Sequence, residues 1–249
     1  QFSDPAIDRL DPRPGQHLAD VGCGPGITTV ALARLVGPDG TATGVDVSPD
    51  MVRAATARAE QAGVDNVRFV VSDAGAAPIG EFDAIFSRFG VMFFDDPAAA
   101  FANLSRSLRP GGRFVAVVWA ALEDNPWMFL PNMFAAGPLG AELSPPGPGQ
   151  PGPFSLADAE ATAALLETSG FEAVEVQRRD GAWAADEGSV SDEIARILAV
   201  GPMGAAWRSA TDDARAAAVD AVIGGLVDHR DGSGWRIPAA TLVISATVR

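Results

Sequence analysis

The chain has 249 residues, with 32 acidic side chains against 18 basic ones and a formal net charge of −14 at pH 7. That balance argues against a nucleic-acid partner, because phosphate contacts need clustered cations, and no apolar run approaches the roughly 20 residues needed to cross a bilayer. The single cysteine, Cys23, excludes an internal disulfide and a cysteine-based metal cluster. With no secretory apolar segment in view, a cytoplasmic protein without a membrane partner is expected.

The first strong signal is residues 18–26, Leu-Ala-Asp-Val-Gly-Cys-Gly-Pro-Gly. An apolar strand ends in an acid, Asp20. Glycines follow at alternate positions, Gly22, Gly24 and Gly26, with Cys23 as a small filler between them. A helical pattern then runs from Ile27 to Val36. Glycine is needed where backbone turns tightly and approaches a ligand without a Cβ in the way, and the helix that follows offers its free N–H groups at that turn. The next strand, Thr41 to Val45, is closed by Asp46, an acid placed to grip a ribose. Together these predict a nucleoside pocket.

Ser48-Pro49-Asp50-Met51 opens another helix, with Ser48 as N-cap and Pro49 in the first turn. A third strand, Val67 to Val71, ends in Ser72-Asp73-Ala74, and a fourth, Phe82 to Ser87, is followed by Arg88 and Phe89. A helix closes in Ser105 to Gly112 (Ser-Arg-Ser-Leu-Arg-Pro-Gly-Gly), just before a fifth strand from Arg113 to Trp119. From Ala120 to Pro153 the texture changes, and Pro and Gly crowd between Ser144 and Pro153. That stretch can hold neither a helix nor a central strand, so a long surface loop is expected. A helix is predicted over Ser155 to Ser169 with Ser155 as N-cap, then a strand from Phe171 to Val176. Helices over Val190 to Val200 and Ala214 to His229 precede a last strand, Ala240 to Val248. Strands alternating with helices imply βαβ units and a parallel sheet. Ligands of such sheets bind at the carboxyl ends of the strands, where Gly22, Asp46, Asp73 and Ser87 all fall.

The run Asp20-x-Gly22-x-Gly24-x-Gly26 is one residue tighter than the dinucleotide fingerprint G-x-G-x-x-G. Its acid would repel a pyrophosphate but suits a cationic amino-acid tail. The run resembles motif I of the class I S-adenosylmethionine-dependent methyltransferases, the broad group that includes ubiquinone- and menaquinone-biosynthesis enzymes and many natural-product methyltransferases. The ordered elements from Leu18 to Trp119, with the Leu-Arg-Pro-Gly-Gly turn before strand five, extend the resemblance. It implies an α/β, Rossmann-like fold: a seven-stranded, mostly parallel sheet with helices on both faces and a final antiparallel strand. The chain is then one methyltransferase domain with its core at 1–119, 155–184 and 236–249, and insertions at 120–154 and 185–235 over the strand ends.

The resemblance also implies S-adenosylmethionine as cofactor and assigns roles. Asp20 accepts, directly or through water, from the cofactor's ammonium group, while Gly22, Cys23, Gly24 and Gly26 shape the loop around it. Asp46 takes the ribose, and Val47 and Met51 flank the adenine. Asp73 accepts from the exocyclic amine, Ala74 meets a ring nitrogen, and Ser87, Arg88 and Phe89 line the methionine moiety. Among the aromatic residues Phe93, Phe94, Trp119, Trp127, Phe129 and Phe134, the candidate acceptor contacts are Phe93, Trp119 and Trp127. They point to a small, largely apolar or aromatic metabolite.

Methyl transfer from a sulfonium is an in-line displacement with a good leaving group, so proximity and orientation carry most of the burden. A base is needed only if the acceptor must lose a proton. His17 opens a strand, His229 sits at a helix end, and Asp95, Asp96, Glu123 and Asp124 are equivalent carboxylates near the mouth, so no catalytic residue is assigned. Two alternatives stay open: a protein that binds the cofactor without transferring methyl, as a cyclase or structural scaffold, and an NAD-dependent oxidoreductase built on the same strand–loop–helix.

Overall fold

The computed structural model describes residues 4–143, 150–232 and 234–249, so positions 144–149 of the Pro/Gly stretch lie outside the described residues. The chain divides into two compact units, one of residues 1–119, 149–179 and 241–249, the other of 120–148 and 180–240.

In the first unit, β1 (His17–Val21) is buried along almost its whole length, as a central parallel strand covered on both faces must be. It pairs in parallel with β2 (Thr41–Asp46) on one side and β4 (Phe82–Arg88) on the other; β3 (Val67–Val71) lies beyond β2, and β5 (Leu108–Trp119) beyond β4. β6 (Glu172–Asp186), the two-residue β7 (Arg230–Asp231) and β8 (Gly234–Thr247) complete eight strands. Their order is β3-β2-β1-β4-β5-β8-β6, with β7 paired to β8. β8 runs antiparallel to β5 from Arg113↔Thr247 to Trp119↔Thr241.

The parallel α/β sheet with an antiparallel late strand is as expected, but the described residues form eight strands, not seven. The extra one is β7: the last strand starts at Gly234 rather than Ala240, and its early residues fold back on Arg230 and Asp231.

Local signals set the helices. α1 spans Asp4–Leu10, and α2 (Ile27–Val36) buries Val30, Leu32, Ala33 and Val36 against the sheet. α3 (Pro49–Ala62) begins where the Ser48 hydroxyl accepts from the Met51 N–H, and it ends at Gly63 in the left-handed conformation. α4 (Pro97–Arg106) is capped by Asp96, whose carboxylate accepts from the Ala99 N–H at 3.0 Å. The core beneath gathers Leu18, Leu32, Phe86, Val115 and Val117.

In the second unit, α5 (Pro126–Ala136) follows a buried Asn125, whose amide donates to the carbonyls of Ala120, Ala121 and Ala240 and accepts from the Ala240 N–H. A separate apolar core forms from Ile194, Leu198, Val222, Leu226 and Trp235.

Two helices differ from the sequence reading. The one expected from Ser155 is α6 (Ala159–Thr168), capped by Asp158. Ser155 cannot cap because its hydroxyl donates to the Met92 carbonyl at 2.6 Å. After α7 (Val190–Val200) and α8 (Gly204–Ser209), the helix expected over 214–229 is α9 (Asp212–Gly225). It stops at a glycine whose added Cβ would lie 2.5 Å from the Phe134 ring. No helix of the described residues is long and apolar enough to cross a membrane.

Candidate functional site

At the carboxyl ends of β1, β2, β3 and β4 the first unit encloses a cleft of about 750 Å³. Its floor depends on two glycines meeting. Gly22 has φ +68°, and a Cβ there would stand 2.6 Å from the Gly90 Cα; a Cβ on Gly90 would stand 2.6 Å from the Val21 carbonyl oxygen. Only glycine at both positions lets the loop after β1 approach the loop after β4. Ser87, fully buried, ties the same two strand ends: its hydroxyl donates to the Val21 carbonyl at 2.8 Å and accepts from the Val91 N–H at 3.3 Å.

Asp46, last residue of β2, lines the cleft and braces its loop. One carboxylate oxygen accepts from the Gly24 N–H at 2.8 Å and the other from the Ser48 N–H at 2.9 Å. Asp73, just past β3, accepts from the Gly75 N–H at 2.8 Å through Oδ1. Val47 and Met51 are exposed apolar side chains beside Asp46 on the cleft wall, and Phe93 is another, 56 % exposed.

Of the residues assigned from sequence, Gly22, Gly24, Asp46, Val47, Met51, Asp73, Ala74, Phe89 and Phe93 line this one cleft. Asp20, Cys23, Gly26, Ser87, Arg88 and Trp119 are not among its lining residues. Asp20 is 1 % exposed, one residue short of the end of β1, and takes a 2.7 Å hydrogen bond from the Thr29 hydroxyl. Burial pushes its carboxyl up to about 7, against the opposing pull of Thr29 and the charge of Arg88. Burial first, then the Asp20 and Asp46 carboxylates, push the Cys23 thiol up to about 12. It is therefore a neutral packing group. Gly26 packs against Ala55 and Phe69.

Trp119 lies behind Phe89 rather than on the surface of the cleft: the two rings stack at 4.2 Å and 7°. Trp127 belongs to the second unit, where its indole N–H donates to Asn125. His17, half-buried, places Nδ1 2.8 Å from the Thr41 hydroxyl, on the opening residue of β1.

The carboxylates that looked equivalent in sequence now separate. Glu123 and Asp124 lie in the second unit, whereas Asp95 and Asp96 line the cleft. Asp96 is engaged as the cap of α4; Asp95 makes no hydrogen bond or ion pair among the described residues. Gly75 and Gly90 also line the cleft and were not singled out from sequence, while Phe94, named there among the aromatic residues, lines it too. Gly90 was findable, since a glycine directly after an apolar strand is the same signal that marks Gly22. None of the described lining residues is an arginine or a histidine, while four are aspartates. The chemistry on offer is therefore a carboxylate-rimmed, otherwise apolar slot, with no nucleophile–base pair assembled in it.

Comparison with known proteins fits this geometry. Residues 18–112 match a methyltransferase domain model. Over 109 residues the chain is 41 % identical to nocamycin O-methyltransferase of Saccharothrix syringae, covering 43 % of this chain and 39 % of that one. Over 130 residues it is 31 % identical to aklanonic acid methyltransferase DauC of Streptomyces sp. (strain C5), covering 51 % and 59 %. The chain thus spans less than two thirds of either relative. A solved structure from Bacillus halodurans C-125, described as a candidate methyltransferase, shares the fold with a TM-score of 0.64 at 18 % identity and 98 % coverage of both chains. The matched segment, residues 18–112, holds the glycine loop, Asp46, Asp73 and the β4 end that together build the cleft, so the part of the chain that resembles a methyltransferase domain is the part that forms the site.

Proposed function

We propose that the cleft binds S-adenosylmethionine and that the protein transfers its methyl group to a small, largely apolar or aromatic metabolite. The observation that carries this reading is the braced carboxylate of Asp46. It is fixed by two backbone N–H groups at a strand end, opposite a glycine loop that admits backbone close to a ligand. The residues present fit the cofactor. Asp46 suits two vicinal hydroxyls, Asp73 keeps one oxygen free of the Gly75 N–H for an exocyclic amine, and Val47 and Met51 offer apolar faces for a purine. Asp20 lies beneath the loop as the counter-charge for an ammonium group.

When bound, the cofactor supplies a methyl group on a sulfonium, whose C–S electron pair leaves with a neutral thioether. The chain's own task is to orient the acceptor in line and exclude water, an effect that can supply up to about 7–11 kcal/mol in well-aligned systems. An acceptor that must lose a proton has Asp95 as the cleft carboxylate without another engagement. The apolar lining, with no cation among its described residues, suits neutral acceptors over phosphorylated ones.

The test is calorimetric titration with S-adenosylhomocysteine and, separately, NAD. It is followed by incubation with methyl-labelled S-adenosylmethionine and a panel of phenols, enols and amines. Micromolar binding of the first ligand alone, with label passing to an acceptor, is expected. NAD binding instead would refute the cofactor, and cofactor binding without transfer to any acceptor would favour the scaffold reading.

A further inference from the structure

A cavity of about 500 Å³ lies wholly within the second unit, where the end of β6, the β7–β8 hairpin and the first turn of α7 converge. Gly234 permits that meeting: a Cβ there would stand 2.7 Å from the Ala185 carbonyl oxygen. The next residue, Trp235, pairs with Arg230 across the hairpin and buries its ring in the apolar core with Ile194 and Leu198. The Arg230 guanidinium lies over that ring at 5.8 Å and pairs with Glu187. The ring is held, yet its indole N–H is a buried donor that finds no partner among the described residues. Trp235 is 6 % exposed and lines the cavity. A buried donor without an acceptor is costly, and a ligand oxygen placed against it removes the cost.

Three charged side chains around the same cavity are equally unengaged. Asp186, Asp231 and Arg236 make no side-chain hydrogen bond or ion pair among the described residues, whereas Glu193 is paired with Arg196. Ser189, at the N-cap of the 11-residue α7, donates its hydroxyl to the Asp186 carbonyl at 3.2 Å and gives that helix no side-chain cap. The cavity therefore offers two opposed sets of groups. Arg236, the Trp235 N–H and the uncapped end of α7 suit a negative charge or an acceptor oxygen, while Asp186 and Asp231 suit a cation. A ligand carrying only negative charge meets three carboxylates. One carrying only positive charge leaves Arg236 and the indole N–H unanswered. A zwitterion answers both sets, and the small wall of Ala184, Ala185 and Gly234 beside Ser189 suits a short polar side chain.

We propose that this cavity is a binding site for a free α-amino acid with a short polar side chain, built from none of the residues that line the first unit's cleft. The ligand's carboxylate accepts from the Trp235 indole N–H and pairs with Arg236, and its ammonium group pairs with Asp186 and Asp231. No group assigned to the cofactor takes part, so the site stands or falls apart from that reading.

The experiment is NMR titration of the full chain, with the indole nitrogens of its five tryptophans labelled and assigned. The probes are L-serine, ethanolamine, which is L-serine without its carboxylate, and 3-hydroxypropionate, which is L-serine without its ammonium group. Saturable binding of L-serine is expected, with the Trp235 indole proton moving downfield. Each half-molecule should bind at least about tenfold more weakly, the scale of one hydrogen-bonded ion pair. Trp235→Phe keeps a ring in the core without the N–H, and Asp231→Asn alters an exposed residue; each should weaken L-serine binding by about fivefold to tenfold. Half-molecules that bind as tightly as L-serine, saturation without movement of the Trp235 signal, variants of unchanged affinity, or no binding at millimolar concentration each overturn the proposal. Should Trp235→Phe fail to fold, the wild-type indole signal and Asp231→Asn decide.

Discussion

Asp20 gives the sharpest handle on the cleft, because its protonation should change when a cationic ligand arrives. Burial holds its carboxyl near 7 in the free protein, against an ordinary value of 3.8. An ammonium group placed over it favours the ionised form and pulls that value down. Below 7 the ligand must displace a proton, so affinity falls about tenfold per pH unit well below that point. Between pH 8 and pH 6 the ionised fraction drops from about nine tenths to about one tenth, and binding of S-adenosylhomocysteine should weaken about tenfold.

The unliganded protein should show the opposite trend. A carboxyl whose folded value is raised contributes stability that is fully present below pH 3.8 and lost as pH rises through about 7. Calorimetry at pH 6 in buffers of different ionisation enthalpy counts the protons, and close to one should be released per ligand bound. Asp20→Asn should release none and should flatten both trends. Proton release that is zero in the wild type, or equal in the wild type and the Asn variant, would refute the idea that Asp20 is the counter-charge.

Other expectations follow from the same geometry. Gly90→Ala drives a Cβ to 2.6 Å from the Val21 carbonyl oxygen, so it should lower the melting temperature and abolish S-adenosylhomocysteine binding. Gly22→Ala should do likewise, with about 1–2 kcal/mol from its left-handed backbone alone. Asp46→Ala strands the Gly24 and Ser48 N–H groups, each hydrogen bond to a charged acceptor being worth about 1.5–3 kcal/mol. Titration should show a loss of at least about tenfold in cofactor affinity, with Asp46→Asn intermediate. Asp96→Ala removes a helix cap and should cost about 1 kcal/mol in denaturant unfolding with cofactor affinity nearly unchanged. A large affinity loss there would place the cofactor against Asp96 as well.

Signals carried by neighbouring residues were the legible ones. The glycine loop, the Ser48 cap with Pro49 behind it, and the acid closing β2 are local, and the parallel sheet follows from their order. What could not be read is what distant segments do to each other. Asp20 and Asp46 look alike as strand-end acids, yet one position decides their fates: Asp20 precedes Val21 inside β1 and is buried, whereas Asp46 is the last residue of β2 and reaches the cleft. Ser155 looked like a cap until a carbonyl 63 residues away claimed its hydroxyl. Trp119 ends an apolar strand, which suggested a place on the cleft surface; only the fold shows Phe89 lying across it.

The division into two units has a consequence for how such a chain can diversify. Among the described residues, every one that lines the cleft lies in the first unit. The chain leaves the first unit after Trp119, returns to it for residues 149–179, and re-enters it for the last time at Thr241; Trp119 and Thr241 are direct cross-strand partners. The first departure and the last return therefore share a doorway. Either segment of the second unit can be lengthened, shortened or exchanged between descendants while the doorway and the cleft keep their sequence, so novelty there need not be negotiated with the cleft.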